Sequence, residues 1–351
     1  MRPTTHVLPG ISRSFALVAA MVLSGQTAAV AAEEVNLYTT REPALIQPLL
    51  DAFSKSSGVK VNTVFLKDGM LERVKAEGAR SPADVLMAVD IGNLVDLVDG
   101  GVTQPVKSAV LEQTLPANLR DAAGQWFALS LRDRVIYVEK SSKLDKLTYE
   151  DLADPKFKGK VCIRAGQHPY NTALVAAKIA HDGEAEAETW LRAVKANLAR
   201  KPGGGDRDVA RDILGGICDL GVANAYYVGQ MRHAASGSDG RKWGDAIKVI
   251  RPTFATVKSG GGTHVNVSGA SVAKNAPNKA NAVKLIEFLV SEPAQSIYAR
   301  GNFEYPIRAN VALDPVMAGL GPLKADALPV AEIAKYRKQA SQLVDKVGFD
   351  N

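Results

Sequence analysis

The sequence has little of what marks an enzyme, a membrane protein or a nucleic-acid-binding protein. Its 351 residues contain no G-x-S-x-G, H-E-x-x-H or Walker pattern, and no two carboxylates stand out as a general acid and base. The formal net charge of +6 is scattered, without a block of Lys and Arg, so we expect no nucleic-acid partner. No apolar run is long enough to span a bilayer. We therefore expect a binding protein and not an enzyme.

Cysteine is also scarce, and the chain has only Cys162 and Cys218. Both lie at the edges of apolar runs, and in an oxidising compartment such a pair predicts a disulfide. The loop between them spans 56 positions (218 − 162). Closing a loop of that length stabilises a fold by roughly 3–4 kcal/mol. Two buried free thiols or a metal-binding pair are the alternatives, although two isolated cysteines do not make a zinc site.

The first 32 residues have the pattern of a cleavable secretory signal. Arg2 and Arg13 supply positive charge, residues 15–23 form a short apolar core, and small residues continue to Ala32. We predict a signal peptide over residues 1–32 and export to a bacterial periplasm. No cysteine lies near the predicted cleavage point, so a lipid anchor is not expected.

The remaining 319 residues (351 − 32) are too many for one ordinary core and predict two domains. Runs typical of strands alternate with segments whose apolar residues recur at helical spacing. Such alternation predicts an α/β fold with a mostly parallel sheet covered on both faces. Strands are expected at 35–38, 59–64, 83–88, 127–138, near Cys162, up to Tyr226-Tyr227 and at 263–269. Helices are expected at 71–77, 92–98, 172–180, 185–198, 281–290 and beyond residue 327.

Two of the extended runs, 127–138 and 263–272, are long enough to cross between two lobes as a hinge. In open α/β sheets, ligands bind beyond the carboxyl ends of the strands. The loops 38–43, 165–171 and 225–228 follow predicted strands. We expect all three loops to face one cleft.

Three tyrosines near these strand ends are candidate metal ligands. An ionised phenol is a hard anionic donor suited to a small, highly charged cation such as Fe³⁺, although it ionises only near pH 10 in water. Taken alone, Tyr226-Tyr227 is more simply explained by one ring in the core and one on the surface of a strand. Tyr170, held between Pro169 and Asn171 ahead of a helix, either projects into the cleft or packs at the helix N-terminus.

Basic side chains near the same loops are further candidates. Arg41 follows the first strand, where a guanidinium and a helix N-terminus together suit an anion, and a surface ion pair is the alternative. Arg132 and Arg134 alternate on one face of an extended run and are expected as a surface pair, unless one of them lines the cleft. His168 is expected to be exposed and not a metal ligand.

Several segments together resemble the periplasmic ferric-iron-binding proteins of ABC importers, a branch of the two-lobed periplasmic binding protein superfamily. The resemblance extends over nearly the whole mature chain. It implies a type II-like fold with two discontinuous lobes joined by extended hinge crossings. The segments are VNLYTTR (35–41), SPADVL (81–86), DPKFKGK (154–160), ANAYY (223–227), GTHVNVSG (262–269) and FLVSEPAQ (288–295).

The resemblance also implies a ligand set. In that family adjacent tyrosines bind Fe³⁺, and in one branch a third tyrosine joins from an earlier loop. On this chain the corresponding residues are Tyr226, Tyr227 and Tyr170. Three phenolates neutralise the charge of Fe³⁺, and the cation in turn favours their deprotonation.

The chain departs from the family pattern at two places, which leaves the ferric coordination shell incomplete. Many relatives have His, or His-Tyr, where this chain has Glu42-Pro43, and some have a glutamate where this chain has Val89-Asp90. A bound anion such as carbonate, with Arg41 as its counter-charge, would complete the shell. A carboxylate oxygen of Glu42 is the alternative.

The resemblance thus predicts a monomeric, non-enzymatic periplasmic receptor that closes on Fe³⁺ and delivers it to an ABC importer permease. Lobe 1 is predicted at 33–131 plus 265–312, and lobe 2 at 132–264 plus 313–351. Acid should favour release, because protons compete for the phenolates. The alternative keeps the fold but binds an organic cation or an oxyanion, with the tyrosines stacking or donating hydrogen bonds.

Overall fold

The computed structural model describes residues 33–256 and 261–351, together with residues 1, 3, 4 and 6. The predicted signal peptide and its cleavage point therefore lie almost entirely outside the described residues. Glu33–Asn351 form one compact unit. None of the helices that the structure describes is long and apolar enough to cross a membrane.

The described part of the chain alternates strands with helices, as the sequence predicts. The strands are β1 (Glu34–Thr39), β2 (Lys60–Phe65), β3 (Val85–Val89), β4 (Thr103–Gln104), β5 (Phe127–Glu139), β6 (Val161–Cys162), β7 (Leu220–Asn224), β8 (Ile247–Ile250), β9 (Val265–Ala273) and β10 (Tyr305–Pro306). The helices are α1 (Pro43–Ser57), α2 (Met70–Glu77), α3 (Ile91–Asp99), α4 (Ala109–Thr114), α5 (Pro169–Asp182), α6 (Glu184–Ala196), α7 (Asp206–Leu214), α8 (Tyr226–Arg232), α9 (Asp239–Asp245), α10 (Lys279–Leu289), α11 (Glu292–Ile297), α12 (Pro315–Ala318), α13 (Val330–Ala334) and α14 (Arg337–Lys346).

One continuous sheet runs through the unit in the order β2-β1-β3-β9-β5-β7-β6. The pairs β1–β2, β1–β3 and β6–β7 are parallel. The pairs that involve β5 or β9 are antiparallel. The prediction of a mostly parallel sheet is therefore wrong, because the two long strands run against their neighbours at the centre of the sheet.

The two predicted crossings are confirmed as the long strands β5 and β9, which pair with each other. Side chains of the buried apolar core fall into groups on either side of this pair. One group draws on residues 35–129, 265–307, Val330 and Ala334. The others draw mainly on residues 135–254, with Phe303, Tyr305 and residues 317–349. The chain thus builds two lobes that share the β5–β9 ribbon.

The predicted disulfide between Cys162 and Cys218 is confirmed, with Cα atoms 5.9 Å apart. Cys162 ends β6, and Cys218 lies two residues before β7. Because β6 and β7 are parallel neighbours, the bridge ties the end of β6 to the segment that leads into β7.

Candidate functional site

The adjacent tyrosines lie in the first turn of α8 and not in a strand. Strand β7 ends at Asn224, which is the last residue to pair with β5. Ala225 then adopts helical dihedral angles, with φ −63° and ψ −34°. The prediction that a strand runs up to Tyr226-Tyr227 is therefore wrong by two residues, because strand pairing ends before the tyrosines. The helical turn leaves the two rings in contact, with centroids 4.1 Å apart.

Tyr170 is the second residue of α5 and not a loop residue. Pro169 occupies the first position, where a missing N–H costs nothing. The Tyr170 N–H donates to Nδ1 of His168, the N-cap residue, over 3.2 Å. The Tyr170 hydroxyl lies 3.3 Å from the Tyr226 hydroxyl. The two sequence-based alternatives for Tyr170 both hold, since it sits at a helix N-terminus and faces the other tyrosines.

A cavity of about 230 Å³ brings the three tyrosines together with the loop after β1. Arg41 and Glu42 line it opposite Tyr170, Tyr226 and Tyr227. A larger cavity of about 820 Å³ contains no tyrosine. The candidate site is therefore identified by the side chains that line the cavity and not by the volume of the cavity. The remaining lining residues are Thr40, Leu45, Lys67, Val89, Asn93, His168, Pro169, Arg207 and Gln230.

Burial controls the protonation of the adjacent tyrosines. It raises the pKa of Tyr226 well above the ordinary value, and the neighbouring phenols of Tyr170 and Tyr227 raise it further. Burial likewise raises the pKa of Tyr227. Both phenols are therefore protonated until a cation supplies compensating charge. A trivalent ion provides the largest compensation, so the pocket favours highly charged cations.

Several guanidinium groups surround the tyrosine rings. Those of Arg132, Arg134 and Arg164 lie 5.0, 5.9 and 5.1 Å from the centroid of the Tyr170 ring. Arg132 and Arg134 are only 2 % exposed, so the prediction of a surface pair is wrong. The physical reason is their position on β5, which lies at the centre of the sheet. Nearby guanidinium charge stabilises a phenolate and also suits an anion bound beside it.

Two of these arginines are already paired with Asp206. Arg134 Nη1 lies 2.6 Å from its carboxylate, and Arg164 Nη1 lies 3.3 Å away. Arg132 differs, because Nη2 donates to the Val267 carbonyl while Nε and Nη1 find no partner among the described residues. Arg132 is thus a buried cation beside Tyr170 that has unpaired hydrogen-bond donors among the described residues.

Arg41 is buried and ion-paired, and the alternative of a surface ion pair is wrong. Its Nη2 lies 2.5 Å from Oε1 of Glu304. Glu304 carries no sequence signal and was missed, since the pair is separated by 263 positions. Glu42 is exposed, lines the cavity and makes no cap hydrogen bond to α1. Its carboxylate therefore remains available at the cavity rim.

Histidine and carboxylate groups do not offer a competing metal site. Within residues 33–256 and 261–351, no three His, Cys, Asp or Glu side chains are grouped so that they could hold a metal ion. His168 is half-buried, so the expectation of full exposure is wrong. Burial, followed by the charge of Arg164, lowers its pKa to about 3, and its Nδ1 is committed to the helix cap.

The fold and the cavity together indicate the class of protein. An α/β chain with two lobes about a two-strand hinge, and a polar cavity that joins both lobes, is a solute-binding protein of the two-lobed type. Residues 80–320 match the family model described as bacterial extracellular solute-binding protein. The chain belongs to this family.

Known proteins similar to this chain include iron-binding ones. Iron uptake protein A1 of Synechocystis is 40 % identical over 320 residues, which cover 90 % of this chain and 88 % of that protein. The solved Bordetella ferric binding protein is 75 % identical with a TM-score of 0.85, covering 91 % of this chain and 100 % of that one. A Trichodesmium protein solved with iron and citrate ligands is 40 % identical with a TM-score of 0.84, covering 90 % and 99 %.

Proposed function

We propose that this chain is a periplasmic receptor that captures Fe³⁺ in its cleft and delivers it to the permease of an ABC importer. The observation that carries the proposal is the convergence of Tyr170, Tyr226 and Tyr227 on one cavity. The similarity to the Bordetella ferric binding protein supports the same ion. The receptor acts as a monomer, exported by the signal peptide over residues 1–32, and it is not an enzyme.

The three tyrosines supply the charge that Fe³⁺ requires. Three phenolates and one trivalent ion sum to zero, which removes the cost of leaving net charge in a buried site. Hard oxygen donors also suit Fe³⁺ over softer divalent ions. Because binding releases phenolic protons, acid favours release.

An anion completes the coordination shell. Three oxygens leave a six-coordinate ion unsaturated, and the buried guanidinium groups of Arg41 and Arg132 lie nearby to offset an anion's charge. Carbonate, supplied as hydrogencarbonate, or another small anion fits this role, and the Trichodesmium relative was solved with iron and citrate ligands. Glu42 is the alternative donor from the cavity rim.

The lobe boundaries belong to the same proposal. Lobe 1 comprises 33–131 plus 265–312 and lobe 2 comprises 132–264 plus 313–351, so lobe 2 supplies all three tyrosines. Lobe 1 supplies Arg41 and Glu42. Fe³⁺ would bind first to the tyrosines and then be enclosed as the two lobes close about β5 and β9.

The direct test is a spectroscopic titration with ferric iron and bicarbonate. Ferric phenolate absorbs visible light, so the wild-type protein should turn orange to red with one ion bound per chain. Tyr226→Phe should reduce the ferric affinity by more than about 100-fold, since even residues that contact metal ligands contribute 10–100-fold.

Tyr336→Phe is the matched control, because Tyr336 is exposed and lies outside the cavity. It should bind iron as the wild type does. A colourless wild-type protein that retains no iron would overturn the proposed function. An undiminished band in Tyr226→Phe would overturn the ligand assignment alone.

A further inference from the structure

Glu304 joins three parts of the molecule at a buried point beside the site. Its Oε1 holds Arg41, and its Oε2 accepts from the hydroxyl of Ser130 on β5. Ser268 on β9 lies 3.5 Å from the same oxygen. The carboxylate is therefore held between the two hinge strands and the loop after β1.

The residue before Glu304 anchors the same segment to the helix that carries the tyrosines. Phe303 has a positive φ of 61°, which is uncommon for a residue other than glycine. Its ring packs on Gly229 of α8, where an added Cβ would lie 2.4 Å from Phe303 Cγ. Residues 303 and 304 thus link α8 to Arg41 through direct packing.

Glu304 offsets part of the positive charge beside the tyrosines. Arg41 faces Glu304, and Arg132 faces both Glu304 and the buried Asp90. Two guanidinium groups therefore meet two carboxylates. Yet Arg41 Nε, Arg132 Nε and Arg132 Nη1 are buried donors with no partner in the described chain. The site therefore offers hydrogen-bond donors to an anion, while Glu304 offsets the charge of one of its arginines.

We propose that Glu304 is a positioning residue that sets the charge of the anion accepted with Fe³⁺. Because the Glu304 carboxylate offsets the positive charge of Arg41, the site favours anions of low charge, such as hydrogencarbonate, over di- and trivalent anions. By fixing the Arg41 side chain, it holds that guanidinium toward Tyr226. This inference rests on the proposed function, and it adds a selectivity that the tyrosines alone do not provide.

The test compares anions of increasing charge. The ferric phenolate band is titrated at one pH with bicarbonate, oxalate and citrate, which carry about one, two and three negative charges. For each anion, the apparent affinity of a variant is divided by the apparent affinity of the wild type. The chelation of iron by the free anion affects both affinities equally and cancels in this ratio. Glu304→Gln should improve relative affinity by about tenfold for each additional negative charge.

A second variant breaks the same ion pair from the other side. Arg41→Gln leaves Glu304 uncompensated and should reverse the trend, with citrate weakened most. A purely structural role for the pair predicts instead that both variants shift all three anions equally. Asp212→Asn, which breaks the distant buried pair with Arg200, is the control and should show no dependence on anion charge.

The outcomes separate this inference from the proposed function. Opposite trends in Glu304→Gln and Arg41→Gln support the role of Glu304. Equal shifts for all three anions, or the same trend in both variants, overturn it while leaving the ferric receptor intact. A wild-type protein that develops no band overturns both.

Discussion

At the scale of single residues, the burial of Tyr226 is the physical basis for the proposed selection of a cargo by its charge. Its phenol is buried among two other phenols, and both effects raise its pKa. Ionisation in the absence of a cation is therefore unfavourable. A trivalent ion reverses that balance, because its field acts on all three oxygens at once. If these phenols are the ligands, as we propose, the burial that keeps them protonated without a cation also makes their ionisation depend on Fe³⁺.

A second residue-scale consequence concerns acid stability without iron. His264 is buried near the start of β9, and its two ring nitrogens lack partners among the residues described. Burial lowers its pKa to about 3, whereas an unfolded histidine titrates near 6.5. The unfolded chain therefore binds a proton that the folded chain does not between those pH values. Stability falls as the pH falls through this window, by about 1.4 kcal/mol per unit.

Urea unfolding of the iron-free protein between pH 4 and 6.5 measures this slope. His264→Gln should reduce this slope by the contribution of one proton, about 1.4 kcal/mol per pH unit. Identical slopes in His264→Gln and the wild type would show that His264 does not carry the effect.

The sequence predicted that the three tyrosines lie together, whereas their role as ligands stays a prediction. Tyr226-Tyr227 and Tyr170 stand in recognisable segments, and the structure gathers them in one cavity. Glu304 could not be found in this way, because it acts on a partner 263 positions away. The burial of Arg132 was also missed, since alternation along a strand does not tell a central strand from an exposed one.

At the scale of elements, helix and strand order was predictable, but the direction of the central strands was not. Apolar periodicity identifies β5 and β9 as long extended runs, as the structure confirms. Their antiparallel pairing depends on contacts between residues more than 100 positions apart, such as Leu131 with Val267. No local pattern encodes such a contact. The end of β7 was misplaced for a similar reason, because its last pairing is set by β5.

The disulfide is an element-scale device that ties β6 to β7. We expect Cys162→Ser combined with Cys218→Ser to lower the free energy of unfolding by roughly 3–4 kcal/mol, because the unfolded chain regains the entropy of the open loop. Urea unfolding under matched conditions measures the loss. The single variant Cys162→Ser is a useful comparison, since it should lose the same cross-link.

Iron binding by the double variant should persist, because the tyrosines are positioned by α5 and α8 as well as by the bridge. An unchanged unfolding midpoint would contradict the stabilising role. Complete loss of the ferric band with retained folding would show that the bridge positions the ligands directly.

At the scale of the whole molecule, the β5–β9 ribbon connects the lobes and carries residues that reach the site. Arg132 lies on β5, while Ser130 and Ser268 place Glu304 from β5 and β9. A change in the angle between the lobes would therefore move Arg41 and Glu304 relative to the tyrosines. Helix α13 also contacts both sides, since Val330 and Ile333 pack in different cores. The proposed closure and the proposed ligand selection would thus involve the same two strands.

The central claim is that the phenolates of Tyr170, Tyr226 and Tyr227 hold Fe³⁺. Resonance Raman spectroscopy of the iron-loaded protein, excited within its visible band, tests it most directly. We predict enhanced tyrosinate ring modes that shift when the protein is grown with ring-deuterated tyrosine. The modes should be absent from the iron-free protein. A visible iron band that enhances no tyrosinate modes would contradict the claim.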